Sequence, residues 1–301
     1  MDIKEQIKRL KKEKNAVILA HTYQPGDIQD AADYVGDSYG LSVQASNTDA
    51  DVIVFCGVRF MAETAHILSP SKKVILPAED AGCPMADMIN GDDIVKLKEK
   101  YPDYLVMCYV NSTSEIKAHS DVCCTSSNAV KIAQKLPPEK GILFVPDQHL
   151  GSYIMEQLGR EMVLWDGFCP THVRIQPEMI KQARELYPDA SILIHPEAPR
   201  ACRELCDQVL STGQMVQHVK TSETMEFVIA TELGLIHTLQ RERPDKTYHP
   251  LFSGLLCPNM KKGSLEQIVS ALEGTGGEVI TLPQEIRQKA KYSLTCMLEL
   301  S

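Results

Sequence analysis

The chain has 301 residues, 44% of them apolar and 24% charged, and it contains no apolar run long enough to span a membrane, so a folded protein of two or three subdomains is expected. The net charge of −9 argues against nucleic-acid binding, and the charged start Met1-Asp2-Ile3-Lys4-Glu5 is unlike a signal peptide, so a cytoplasmic protein without a nucleic-acid or membrane partner is expected. Ten cysteines in that setting point to metal binding or chemistry rather than to a disulfide framework.

A helix is predicted over residues 2–14, followed by the short apolar run 17–20, which ends in His21-Thr22-Tyr23-Gln24. Such a run, bounded by polar residues, is the pattern of a strand buried on both faces of a parallel sheet. Asp27 and Asp37-Ser38 are placed to cap short helices. A strand at 52–55, a helix at 61–68 and a strand at 74–76 then lead to Gly82-Cys83-Pro84. The order recurs: helix 92–100, strand 105–108 ending in Tyr109-Val110-Asn111, a helix opening near Thr125 to Asn128, strand 142–145, helix 150–158, strand 162–164, then Cys169-Pro170. It recurs again as helix 178–186, strand 192–194 ending in His195-Pro196-Glu197, a helix opening near Ser211-Thr212, strand 227–229, helix 233–240, then Cys257-Pro258. Segments 264–272 and 283–300 read as helices packing back on the core.

The recurrence keeps its register. His21, Tyr109 and His195 are 88 and 86 residues apart, and the same spacings separate Tyr23, Asn111 and Glu197, and Ser38, Ser126 and Thr212. The three Cys-Pro steps, at Cys83, Cys169 and Cys257, are 86 and 88 residues apart. Self-similarity at a fixed period is a property of a whole fold. It predicts three analogous α/β/α units with small parallel sheets around a pseudo-threefold axis, spanning 1–86, 87–173 and 174–260, with a helical segment 261–301 packed back on them.

Ligands of parallel sheets bind beyond the carboxyl ends of the strands. Each unit puts a polar pair at i and i+2 there, on one side of an extended chain. Each also puts a hydroxyl (Ser38, Ser126 or Thr212) near a helix start, where free N–H groups favour an anion. Singly, such a histidine is more often a structural residue and such a serine more often a plain N-cap; the threefold register shifts that balance towards one cavity for a small substrate with several carboxylate or phosphate groups. A proline fixes its own φ and pushes the preceding residue towards extended backbone, so each Cys-Pro cysteine is aimed from a loop. Three thiolates suit either an iron–sulfur cluster with one open position or a zinc ion with a water ligand. Cys56, Cys108 and Cys123 read as core packing, Cys124 and Cys296 carry no functional argument, and Cys202 and Cys206, spaced i, i+4, form a weak metal-ligand pair on an expected helix. No Cys-x-x-Cys, P-loop or dinucleotide fingerprint occurs; Gly274-Thr275-Gly276-Gly277 does not form one.

The combination of Ile18-Leu19-Ala20-His21-Thr22-Tyr23-Gln24, Gly36-Asp37-Ser38, Phe60-Met61-Ala62-Glu63-Thr64-Ala65, Tyr109-Val110-Asn111-Ser112, Cys124-Thr125-Ser126-Ser127-Asn128-Ala129, Pro146-Asp147-Gln148-His149-Leu150-Gly151, Trp165-Asp166-Gly167-Phe168-Cys169-Pro170-Thr171-His172, His195-Pro196-Glu197 and Ala230-Thr231-Glu232-Leu233-Gly234 closely resembles the quinolinate synthase (NadA) family from end to end. The resemblance implies a [4Fe–4S] cluster on Cys83, Cys169 and Cys257 with one iron open to substrate. It implies condensation of iminoaspartate with dihydroxyacetone phosphate to quinolinate in NAD biosynthesis, and hence a functional link to an iminoaspartate-producing enzyme. It also implies substrate binding by His21, Ser38, Tyr109, Asn111, Ser126, His195, Glu197 and Thr212, with Tyr23 nearby. Among these Glu197 is the first choice as catalytic base, with His21, Tyr23 and His195 as proton relays. Two positions depart from the family: Thr22 replaces a bulkier residue and is expected to point away from the site, and Leu210 replaces a glycine, which is expected to shift the loop carrying Thr212.

Overall fold

The computed structural model describes residues 2–301. The first unit contributes β1 (Ala16–His21), β2 (Tyr34–Gly36), β3 (Val52–Cys56) and β4 (Lys73–Leu76); the second β5 (Tyr104–Tyr109), β6 (Val122–Cys124), β7 (Gly141–Val145) and β8 (Val163–Leu164); the third β9 (Ser191–Ile194), β10 (Gln208–Val209), β11 (Glu226–Ala230) and β12 (Thr247–Pro250). The strands within each unit pair in parallel, in the same order: β2-β1-β3-β4, β6-β5-β7-β8 and β10-β9-β11-β12. A further strand, β13 (Glu278–Val279), joins β4 antiparallel. The fold is thus α/β, with three small sheets flanked by helices, and each strand order reverses beside the unit's first strand, where open parallel sheets bind ligands.

Alternation along the strands divides the apolar side chains between two faces. In the first sheet Val17, Leu19, Ile53, Phe55, Val74 and Leu76 enter one core, while Ile18, Ala20, Val54, Cys56 and Ile75 enter another under the helices Ile3–Glu13 and Leu265–Glu273. The first of these cores also takes Leu193, Phe227 and Ile229, so the first and third sheets share it; Ile192, Ile194, Val228 and Ala230 fill a separate core behind the third. The second sheet packs with Ala290, Leu294 and Met297 of the helix Gln284–Leu300. Burial on both faces explains why these strands read as continuous apolar runs.

A carboxylate pins the edge strand of every unit. Asp33 accepts the Ile18 N–H at 2.8 Å, Asp121 that of Val106 at 2.7 Å and Asp207 that of Ile192 at 2.7 Å. In return, the backbone N–H of each aspartate donates to the carbonyl of that same residue. These aspartates repeat at the same 88- and 86-residue spacings as the site residues. Strands β2, β6 and β10, only two or three residues long, fall below what periodicity detects.

Two local expectations are corrected. Asp27 does not cap a helix: Pro25 precedes the helix Gly26–Ala31, and the Asp27 carboxylate accepts from the adjacent Ile28 N–H. The helix beneath Cys202 spans only Arg200–Arg203, so Cys206 lies beyond it. Among the described residues no helix is long and apolar enough to cross a membrane.

Replacing Asp33, Asp121 or Asp207 by alanine leaves a strand N–H without its acceptor and is expected to lower stability by about 1–3 kcal/mol. Chemical denaturation reads the loss; an unchanged midpoint for all three variants contradicts the pinning role.

Candidate functional site

The ends of the three first strands open onto one cavity of about 230 Å³, lined by His21, Tyr23, Ser38, Cys83, Tyr109, Asn111, Ser126, Cys169, His172, His195, Glu197, Thr212 and Cys257, among others. Every site residue singled out from the sequence therefore faces the same space. Ser38 and Thr212 are the first residues of ten-residue helices whose N-caps are the preceding Asp37 and Ser211, so their hydroxyls are not spent on capping. Asp37 lies between the two helix starts: its carboxylate accepts the Gly40 N–H at 2.8 Å and closely approaches Gly213 of the third unit. Gly213 permits this approach, since a Cβ there would lie 2.5 Å from an Asp37 oxygen. The Leu210 N–H bonds the Ile194 carbonyl at 2.9 Å, and Thr212 lies on the cavity wall. The Thr22 hydroxyl is buried without a partner and is not part of that wall.

The i, i+2 pairs do more than share a side of the chain. The Tyr23 N–H donates to His21 Nδ1 at 3.2 Å, and the Glu197 N–H to His195 Nδ1 at 3.3 Å. An Nδ1 that accepts cannot carry the proton, so both rings present Nε2–H to the cavity. Burial lowers the His21 pKa to about 3, reinforced by the Lys261 charge, and burial likewise lowers His195 to about 3 against the opposing pull of Glu197. Both are neutral hydrogen-bond donors.

Glu197, only 3% exposed, is the hub. Its Oε1 accepts from the Tyr109 hydroxyl at 2.6 Å and, at 3.4 Å, from Asn111 Nδ2; Oε2 lies 2.8 Å from His172 Nδ1 and 3.9 Å from His195 Nδ1. Burial alone would raise this carboxyl, but the His195 and His172 rings and the hydrogen bonds from His172 and Tyr109 outweigh it and hold Glu197 below the usual carboxylate range. The network continues from His172 Nε2 to Thr231 Oγ1 at 2.8 Å and on to the Tyr23 hydroxyl at 2.7 Å. Burial and the Glu197 charge push Tyr23 and Tyr109 far above the ordinary phenol range, so both keep their protons. The Asn111 Oδ1 is buried without a partner, an acceptor left open on the cavity wall.

His172 and Thr231 were inside motifs noted in the sequence but were not assigned to the site. His172 is 1% exposed and stacks on His195 with ring centroids 4.7 Å apart. Its place three residues after Cys169 was the available signal.

The three sulfurs share one local design. Each cysteine of a Cys-Pro step lies at or just before the start of a short 3₁₀ turn (Ala86–Met88, His172–Arg174 and Pro258–Lys261), where the backbone N–H of the residue three positions on (Ala86, His172 or Met260) acts to lower the pKa of the thiol. Burial pushes the Cys83 thiol up to about 12, and it raises Cys169 and Cys257 as well. The nearby charges on them are negative: Glu197 for Cys83 and Cys169, Glu232 for Cys257. Among the described residues, one group could hold a metal ion through mixed donors: Cys169, His172 and Glu197. Cys202 and Cys206 bond the Ile175 and Cys202 carbonyls, away from the cavity wall, and Cys56, Cys108, Cys123 and Cys124 are buried.

A sequence profile described as Quinolinate synthetase A protein matches residues 5–299. Curated relatives named quinolinate synthase include one from Alkaliphilus metalliredigens, 50% identical over 297 residues that cover 98% of this chain and 97% of the relative. Another, from Caldicellulosiruptor saccharolyticus, is 49% identical over 300 residues, covering 99% and 98%. A third, from Dehalococcoides mccartyi strain CBDB1, is 48% identical over 298 residues with the same coverage.

An unfolded histidine takes up its proton near 6.5, whereas His21 and His195 resist it down to about 3. Each ring therefore contributes stability that is present above pH 6.5 and lost as the pH falls towards 3. Nitrogen-resolved imidazole NMR is expected to find both rings as neutral Nε2–H tautomers from about pH 5 to 8. A ring that titrates inside that window contradicts the assignment.

Proposed function

The chain belongs to the quinolinate synthetase A family, the quinolinate synthases of NAD biosynthesis, and from that premise we propose that it condenses iminoaspartate with dihydroxyacetone phosphate, giving quinolinate, phosphate and two waters. The supporting observation is one cavity that faces three cysteine sulfurs, two neutral histidine donors and an ionised carboxylate.

The donor set fits a [4Fe–4S] cluster held by Cys83, Cys169 and Cys257. Three soft sulfurs reach one space, and at each of them a nearby backbone N–H acts towards the thiolate form. Burial and negative neighbours keep these thiols protonated on their own, so cationic iron is the complement the site calls for. Bound there, the cluster would supply a Lewis-acidic iron that polarises a substrate oxygen and eases loss of water.

The chain's own groups account for the rest. Both substrates are anionic, and the hydroxyls of Ser38, Ser126 and Thr212, with His21 and His195 Nε2–H, give neutral donors for carboxylate and phosphate oxygens. Neutral donors bind an anion without an ion pair that must later be broken for product to leave. The Asn111 Oδ1 is an acceptor suited to a substrate hydroxyl or imine N–H. Enolisation and the two dehydrations require protons to move at carbon and oxygen. Glu197, held below the ordinary range, is a modest base by itself, but it is bonded to His172 Nδ1 and the Tyr109 hydroxyl and so belongs to a relay that ends at Tyr23. The relay moves a proton without leaving an uncompensated charge in the buried site.

An anaerobic assay for quinolinate from the two substrates tests this reading; no product from iron-loaded protein overturns it. Glu197→Gln is expected to lower turnover by about 10²–10⁴-fold while iron remains bound. Cys83→Ala, Cys169→Ala and Cys257→Ala are each expected to lose iron and the brown colour, and Cys202→Ala and Cys206→Ala to keep both. Full turnover in Glu197→Gln, or iron retained after loss of one of the three cysteines, rejects the corresponding role.

A further inference from the structure

We infer that the cluster-free chain holds a single zinc ion on a mixed donor set, Cys169 Sγ, His172 Nδ1 and a Glu197 carboxylate oxygen, and not on the three Cys-Pro sulfurs together. The inference rests on the geometry alone and does not depend on the reaction assigned above.

These three atoms lie within 4.8 Å of one another; His172 Nδ1 is 3.2 Å from Cys169 Sγ and 2.8 Å from Glu197 Oε2. Zinc bonds of about 2.0–2.3 Å put tetrahedral ligand atoms roughly 3.3–3.7 Å apart, so only small side-chain shifts separate this arrangement from a coordination site. Cys169-Pro170-Thr171-His172 supplies two of the ligands from one turn. The outer partners that metal-ligating groups need are already in place. His172 Nε2 is 2.8 Å from Thr231 Oγ1, leaving Nδ1 for the metal, and Glu197 Oε1 accepts from Tyr109 at 2.6 Å. The fourth position faces the cavity and is open to water. On binding, the Cys169 thiol gives its proton to solvent and the His172 proton moves to Nε2. Because Cys169 serves both sets, zinc here and a cluster on Cys83, Cys169 and Cys257 exclude each other.

The test uses the full chain stripped of metal anaerobically and titrated with Co²⁺, then displaced with Zn²⁺. A tetrahedral cobalt spectrum carrying one thiolate charge-transfer band is expected. Cys83→Ser and Cys257→Ser should keep their affinity within about threefold, Thr231→Val should weaken it about 10–100-fold, and Cys169→Ser and His172→Ala should weaken it further still. His172→Cys, which keeps a ligand, should restore binding with a two-thiolate spectrum and guards against misreading a misfolded alanine variant. Loss of binding in Cys83→Ser or Cys257→Ser equal to that in Cys169→Ser, a three-thiolate spectrum in the parent chain, unaltered affinity in His172→Ala, or no cobalt binding at all would each overturn the proposal.

Discussion

An ionised carboxylate buried where three α/β units meet is the constraint on which the rest of this structure depends. Removing such a charge from water costs several kcal/mol unless hydrogen bonds and opposite partial charges replace the solvent. Here the replacement comes from different parts of the chain: Tyr109 and Asn111 at the end of one strand, His172 from the loop after Cys169, and the Glu197 backbone locking His195 beside it. Through His172 and Thr231 the same network reaches Tyr23. Its hydrogen bonds join residues from all three repeated segments, so it aligns the segments as well as equipping the site.

Repetition explains how a modest fold acquires so many converging groups. Each unit has the same strand order, the same edge-pinning aspartate and the same Cys-Pro turn, and each therefore delivers a strand end, a helix start and a sulfur to equivalent places. The equivalent positions, however, carry different side chains. Histidine at 21 and 195 gives two donors whose tautomer is set by the backbone two residues on, while tyrosine at 109 gives the donor that holds the carboxylate. Common scaffolding with divergent side chains is how three similar segments build an asymmetric pocket.

Much of this was legible in the amino-acid sequence, because the 88- and 86-residue register ties residues together without any knowledge of contacts. The strand ends, the hydroxyls at 38, 126 and 212 and the three Cys-Pro steps were all marked by it. The roles of His172 and Thr231 were not, since their partners lie 59 and 208 residues away and neither belongs to a triplicated polar pair. The strands at Tyr34–Gly36 and Gln208–Val209 escaped because two or three residues carry no periodicity. Asp33, Asp121 and Asp207 are in register too, but nothing about an aspartate before an edge strand signals a backbone acceptor until the ladder is seen. Burial also changes the chemistry expected of Glu197: residue type alone made it the base, whereas its donors make it an anchor within a relay.

The most direct measurement of the central claim is the infrared difference spectrum, at neutral pH, between the full-length chain and its Glu197→Gln variant. The account predicts that the variant loses the symmetric and antisymmetric stretches of an ionised carboxylate. Loss of the carbonyl stretch of a protonated carboxylic acid instead would contradict it, because the network described above would then be built around a neutral group.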